Sequence, residues 1–269
     1  MKVAGKVAII TGASSGFGKA LECSTSSELF SFQPAWRLTG KGGKVVLGDI
    51  SDNAGKTLEK ELNAKHPGSA VFAVCDVTKK SDQERLFELA KSKFGSIDIV
   101  VNNAGIGEGV SFTQDTQDAW VKVLRIDLEA VILGTRLAVA EMIKAGKGGV
   151  ILNTASLAGL YPQPFQPVYA AAKGGVVHFT RSLGHLAKAH GIYCNAICPS
   201  FSPTGILEAG EKQFGDEFKK YTEKRVPVEL VIDAFVRGIE DESLAGACIR
   251  ITPELGIDIY NWRRTKAKI

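Results

Sequence analysis

The sequence predicts an α/β fold: a single doubly wound domain with a mostly parallel sheet of seven strands and helices on both faces. Three observations lead there. Short β-branched runs recur, namely "KVAIIT", "KVVLGD", "AVFAVCD", "DIVVNNA", "GVILNTAS", "IYCNAICP" and "ACIRITP". Stretches with helical spacing follow them, and near-continuous apolar strands alternating with amphipathic helices belong to a parallel sheet covered on both sides. No Pro/Gly/Ser-rich linker, 20–50-residue repeat or low-complexity segment divides the 269 residues, so one domain spans 1–269.

Composition excludes several classes. With 45% hydrophobic and 23% charged residues the chain is ordinarily globular. A net charge of +4, with basic residues dispersed except in the tail 262–269, leaves no nucleic-acid footprint. The five cysteines are odd in number and lack CxxC or Cys/His spacing, which predicts reduced core thiols in a cytoplasmic protein and no metal. "MKVAGKVAII" enters a strand without signal-peptide architecture, and no apolar run approaches the ~20 residues of a membrane helix.

Along the chain, "VAIITGASSGFG" puts Gly12, Gly16 and Gly18 just after the first strand. A turn there lets backbone approach a phosphate and opens a helix whose N-terminus faces negative charge. The second strand ends at Asp49, whose carboxylate can accept ribose hydroxyls and repels a 2′-phosphate. Where NADP would need Arg or Lys, the chain offers Ser14, Ser15, Ile50 and Ser51, so the expected cofactor is NAD and the domain is of Rossmann type. Asp76 and Val77 end the third strand, suited to an adenine edge, and Asn103 follows the fourth; Asp76 and Asn103 are equally explained as turn or cap residues.

The middle of the chain carries two long helical patterns that are apolar over more than one face. They pack either on the sheet and a partner subunit, giving a homo-oligomer, or within a large monomer. Tyr169 and Lys173, at i and i+4, share a helix face. An ammonium beside a phenol favours the phenolate and makes tyrosine a usable acid/base. Ser156, thirteen residues earlier at a strand end, can hydrogen-bond a substrate oxygen. Residues 206–225, charged and containing Gly210 and Gly215, read as a mobile lid.

TGxxxGxG, the Asp after the second strand, NNAG, then Ser and YxxxK occur in order over some 160 residues. This combination resembles the classical short-chain dehydrogenase/reductase family from Lys6 to about Ile257. "SLAGLYPQPFQPVYAAAKGGVVHFTRSL", "NAICPSFSPTGILE" and "IEDESLAGACIRIT" are similar to an NAD-dependent, alcohol-oxidising subgroup, the last unlike the ending of the family's ketoacyl reductases. The resemblance implies oxidation of a secondary alcohol to a ketone, with hydride passing to NAD. Tyr169 is then the general base, Lys173 lowers its pKa and holds the nicotinamide ribose, and Ser156 steadies the forming carbonyl. It also implies that Gln166 meets the substrate hydroxyl, the other reading being an ordinary polar loop residue, and that Thr204 contacts the carboxamide. The cofactor set is Gly12, Ser14, Ser15, Gly16, Phe17, Gly18, Asp49, Ile50, Asp76, Val77, Asn103, Tyr169, Lys173 and Thr204. A carbonyl reductase using the same residues in reverse, and a non-catalytic dinucleotide-binding sensor or scaffold, are the alternatives.

Three departures stand out. Asp127 occupies the place of an asparagine that orders water toward the lysine, and a carboxylate there would raise the lysine pKa. Ser200 replaces a glycine in a turn that could want positive φ, and Pro203 stiffens the same loop. Gly18 and Asp49 are 31 residues apart, against about 20 for the fingerprint, leaving roughly eleven surplus residues within 22–36. Either the first helix runs to about residue 32 with 33–41 a loop, or it stops near Cys23 with 29–36 a surface loop. Both options expose some of Leu29, Phe30, Phe32 and Trp36, as a docking site or an aggregation hazard. The surplus is a native insert, or it is translated intron or a wrongly joined gene.

Overall fold

A computed structural model of the chain describes residues 1–14 and 34–262. Among these, eight strands make one sheet: β1 (Val7–Thr11), β2 (Lys44–Asp49), β3 (Ala70–Val74), β4 (Ile99–Asn102), β5 (Gly149–Thr154), β6 (Ile192–Pro199), β7 (Cys248–Thr252) and β8 (Gly256–Ile259). Their spatial order is β3-β2-β1-β4-β5-β6-β7-β8. The first seven are parallel and β8 is antiparallel, Thr252 opposing Gly256. The expected sheet had seven strands. The eighth is a four-residue hairpin return with Gly256 at φ 65°, tied by Arg250 to Asp258 at 2.6 Å. Its shortness leaves no periodic signal to read.

The helices are α1 (Pro34–Gly40), α2 (Asp52–Lys65), α3 (Lys80–Phe94), α4 (Ala119–Leu124), α5 (Ala130–Ala145), α6 (Pro167–Ser182), α7 (His185–His190), α8 (Gly205–Tyr221) and α9 (Val228–Glu240). Strand alternation divides the core between two faces. Ala8, Ile10, Val45, Leu47, Ile99 and Val101 meet α1, α2 and α9 through Trp36, Leu38, Leu58, Leu62, Val231 and Phe235. Val7, Ile9, Val46 and Val100 face Leu86 and Ala90 of α3 and Ala138 and Met142 of α5. Val176 and Val177 bring α6 onto Ala196 and Cys198 of β6. Cys75 and Cys194 are core residues as expected, and burial pushes both thiols up to about 12. No helix among the described residues is long and apolar enough to cross a membrane.

Strand order reverses between β1 and β4, so the crevice beyond their carboxyl ends is where a ligand of such a sheet binds.

The segment 34–41 corrects the expectations for the surplus region. The loop expected over 33–41 is helical from Pro34, the first described residue of α1, to Gly40. Trp36 is buried, not exposed, and Lys65 lies over its ring at 4.9 Å. Arg37 pairs with Asp233 at 2.6 Å and Lys41 with Glu240 at 2.7 Å, which lashes α1 to α9. Leu29, Phe30 and Phe32 lie outside the described residues. Truncation of Trp36 to alanine is therefore expected to cost about 3–5 kcal/mol in urea unfolding. A surface-loop tryptophan would change stability by no more than about 0.5 kcal/mol.

Candidate active site

Above the sheet's carboxyl edge, Asn103 ties three strand ends together. Its amide donates to Thr11 Oγ1 at 3.1 Å, and its Nδ2 donates to the carbonyls of Thr11 and Gly12, each at 3.2 Å. Its Oδ1 accepts from Thr154 Oγ1 at 3.3 Å. Beneath it, Asn102 Nδ2 donates to Asn153 Oδ1 at 2.8 Å, and Asn153 Nδ2 donates to Thr180 of α6 at 3.0 Å. The ends of β4 and β5 and the helix bearing Tyr169 thus share a buried polar network.

On the dinucleotide side, Gly12 has φ 62°, and a Cβ there would come within 2.7 Å of Ala104 Cα, so only glycine fits the turn. Asp49 accepts from the Ser14 amide at 2.9 Å and the Ser51 amide at 3.0 Å, which brings the acid to the turn despite the long intervening chain. Among the described residues, buried Ser14 Oγ has no hydrogen-bond partner. An orphaned hydroxyl beside a positive-φ glycine fits a dinucleotide's phosphate and ribose. Ile50 is exposed and Val77 buried. Asp76 accepts from Thr78 Oγ1 at 2.7 Å and its amide at 3.1 Å; that hydroxyl chiefly holds the carboxyl below its usual range. Its side chain thus serves its own turn. Ser15, Gly16, Phe17 and Gly18 lie outside the described residues.

On the other side of the crevice, Ser156 follows β5, its Oγ accepting from the Ala158 amide at 3.1 Å. Gly159 sits where a Cβ would be 2.6 Å from Lys173 O, so the loop after β5 packs directly on α6. Lys173 Nζ, buried, donates to Thr154 O at 2.9 Å and lies 5.5 Å from the Tyr169 ring centroid.

Asp127 lies in a π-helical turn, Arg125–Glu129, between α4 and α5. Such turns swing one residue out of helical register and recur at functional sites. The carboxylate is wholly buried, accepts from the Ile106 amide at 2.9 Å through Oδ1, and meets Lys173 Nζ at 3.1 Å through Oδ2. The second contact is an ion pair rather than an aligned hydrogen bond.

Burial pulls the Lys173 ammonium down, but Asp127 and then Tyr169 more than restore it, and its pKa is raised. Burial raises the Asp127 carboxyl against the opposing pull of Lys173 and the Ile106 amide. The rise of the ammonium fits its surroundings, since Nζ donates to Thr154 O and lies against the Asp127 carboxylate. Burial also raises the Tyr169 phenol, Lys173 and the Ser156 hydrogen bond lower it, and Asp127 raises it. Lys173 therefore acts in the expected direction, but the net shift of the phenol is upward.

Ser156, Tyr169 and Lys173 line a cavity of about 380 Å³ that also reaches Gly12, Asn103 and Thr204. Leu157, Tyr161, Pro162, Phe201, Ile206, Leu207, Phe218 and Tyr221 supply its apolar wall, and Gln163 and Gln166 face it as polar groups. Gln166 is buried, its Oε1 accepting from the Glu108 amide at 3.4 Å. Most of 206–225, the segment expected as a lid, is helical: α8 bends at Gly215 (φ 70°) and packs Phe214 and Phe218 against Phe165 at 5.9 and 5.3 Å. Ser200 adopts no left-handed backbone, since Asp118 (φ 55°) is the only non-glycine that does among the described residues. The turn simply takes another path, with the Ser200 amide donating to Ile251 O at 2.8 Å.

Sequence reasoning missed Glu108. This buried carboxylate accepts from the Tyr169 amide at 2.7 Å, across 61 residues. It also missed the aromatic wall of Tyr161, Phe201 and Tyr221, whose residues are scattered along the chain.

A dinucleotide crevice joined to a Ser-Tyr-Lys cluster defines an oxidoreductase site on a doubly wound sheet. Residues 6–213 match the family described as short chain dehydrogenase, and the chain belongs to that family. It is 36% identical to the 15-hydroxyprostaglandin dehydrogenases [NAD(+)] of Macaca fascicularis and Homo sapiens, with 98% of this chain and 97% of each relative covered. A 3beta-hydroxysteroid dehydrogenase 2 of Eggerthella lenta is 34% identical over 76% of this chain and 74% of its own. Among solved structures, levodione reductase superimposes with a TM-score of 0.81 at 27% identity, covering 93% of this chain and 97% of its own. A short chain dehydrogenase/reductase from Burkholderia phymatum in complex with NAD gives 0.77 at 27% identity, covering 93% and 90%.

The electrostatics generate one test. Replacing Asp127 by Asn removes a charge that raises the Tyr169 phenol. The Tyr169 part of the ultraviolet phenolate titration, obtained by difference from Tyr169→Phe in each background, should therefore move to lower pH. An unmoved titration would contradict the assignment.

Proposed function

We propose that this chain oxidises a secondary alcohol to a ketone with NAD, Tyr169 being the general base. The observation that carries the reading is the convergence of Ser156, Tyr169 and Lys173 on one cavity that also reaches Gly12, Asn103 and Thr204. NAD is the cofactor suggested by the printed names of the relatives at 36% identity and by Asp49 at the turn. Gly12, Ser14, Asp49 and Ile50 would hold its adenosine and phosphates, Asp76 and Val77 would border the adenine, and Asn103 and Thr204 would flank the nicotinamide. When bound, NAD supplies a cationic ring that accepts hydride.

The chain's own groups manage the proton and the oxygen. Tyr169 Oη takes the hydroxyl proton as the carbonyl forms, and Ser156 Oγ hydrogen-bonds the same oxygen. Lys173, fixed by Thr154 O and Asp127, stabilises the phenolate. Gln166 meets a polar group of the substrate, and the apolar wall excludes water from the reacting atoms. That wall suits an extended, largely apolar alcohol of the 15-hydroxyprostaglandin kind named for the relatives. α8, hinged at Gly215, serves as the lid. The buried free thiols suit a cytoplasmic enzyme, and the outward faces of α5 and α6 suit a homo-oligomer.

One observation favours the reverse direction as a second reading. A phenol shifted upward stays protonated and is ready to donate to a ketone oxygen. NADH formation from a panel of secondary alcohols, set against NADH consumption with the matching ketones, separates the two directions. Tyr169→Phe is expected to lower either rate by about 10²–10⁴-fold while NAD binding, followed by calorimetry, persists. Parental rates in that variant would defeat the proposal, and a preference for NADP would defeat its cofactor assignment.

A further inference from the structure

We propose that Glu108 is a positioning residue for the hydride-transfer reaction, its carboxylate fixing the helix that carries Tyr169 and the loop that holds Gln166. This inference rests on the function proposed above. α6 begins after Gln166 with Pro167 at its first position, and Gln166 gives it no side-chain cap. The first-turn amides of a helix need outside partners when buried. Glu108 supplies them from the loop after β4: Oε1 accepts from the Tyr169 amide at 2.7 Å, and the Val168 amide also donates to the carboxylate.

The link is reciprocal. The Glu108 amide donates to Gln166 Oε1 at 3.4 Å, so the glutamine facing the substrate takes its orientation from the residue that caps the helix. Gly107 permits this approach, because a Cβ there would sit 3.1 Å from Gln166 Oε1. A carboxylate at a helix N-terminus also complements the macrodipole, an advantage that protonation removes.

Burial raises the Glu108 carboxyl, the amides of Tyr169 and Val168 oppose it, and Asp115 in the turn before α4 raises it further. α6 faces it with those two amides, and Asp115 is the charged neighbour that acts on it. The sign follows. The carboxylate is intact above its raised pKa and is lost as pH falls through it, at a higher pH than for an ordinary glutamate. Positioning should weaken over that acid range.

The experiment compares the parent with Glu108→Gln and Glu108→Asp in the reduction direction. There Tyr169 remains protonated across the acid range and contributes no acid limb of its own. NADH is used with the ketone of whichever secondary alcohol the parent turns over fastest. The expected result is a kcat for Glu108→Gln lower by roughly ten-fold or more at neutral pH, with unchanged NADH affinity. Its acid limb should disappear, so that the parent falls toward the variant as pH drops. Glu108→Asp, which keeps the charge, should recover part of kcat together with the limb, and it carries the test if the glutamine variant does not fold. Parental kcat and an unaltered acid limb in Glu108→Gln would overturn the inference. So would a lower kcat with the limb intact, since that marks a merely structural role. A parent that turns over neither alcohol nor ketone overturns the proposed function and this inference with it, whereas an active parent indifferent to Glu108 overturns this inference alone.

Discussion

The spacing of three strand ends is the constraint on which the rest of the molecule depends. Asn103 reaches the ends of β1 and β5 from the end of β4, with four hydrogen bonds between 3.1 and 3.3 Å. Each contributes on the order of 1 kcal/mol, but their geometric effect is larger than their sum. Gly12 belongs to the first end, Thr154 to the third, and Lys173 is bonded to the carbonyl of Thr154. If the ends separated, the dinucleotide turn and the proton-handling groups would move apart together. The turn-residue reading of Asn103 and its place in the crevice are therefore two descriptions of one job.

Built on that frame, the site is an arrangement of opposed charges in a dry interior. Asp127 and Lys173 are both almost wholly buried, a costly condition made tolerable by the Ile106 amide on one partner and Thr154 O on the other. The pair keeps the ammonium charged and immobile beside the phenol. Burial is the chief reason that the Tyr169 shift is upward although Lys173 acts downward, and the Asp127 charge adds to the rise. Asp127 thus bears on the electrostatic balance of the whole site.

Much of this was legible in the sequence, and the exceptions share a cause. The parallel strands declared themselves as apolar runs, and YxxxK, NNAG and Gly12 marked the crevice. Short or spatially distant features did not declare themselves. α1 spans seven described residues and β8 four, too few to show a period. Glu108 meets its partner 61 residues away, and no local pattern in "GIGEGV" marks it for burial. The aromatic wall was hidden in the same way, because Phe201, Phe218 and Tyr161 meet only after folding.

Gly105 carries a consequence for how this chain can change over time. A Cβ at that position would lie 3.2 Å from Asp127 Oδ2 and 3.3 Å from Lys173 Nζ, where the two charges meet. Positions 105, 127 and 173 are in contact, so substitutions at them do not act independently. An alanine at 105 would crowd both partners of the ion pair, so a change there is easier once the carboxylate at 127 has given way to a side chain that stands further off. The order in which these positions mutate is thus constrained, and descendants of this chain inherit a history-dependent set of accessible sequences.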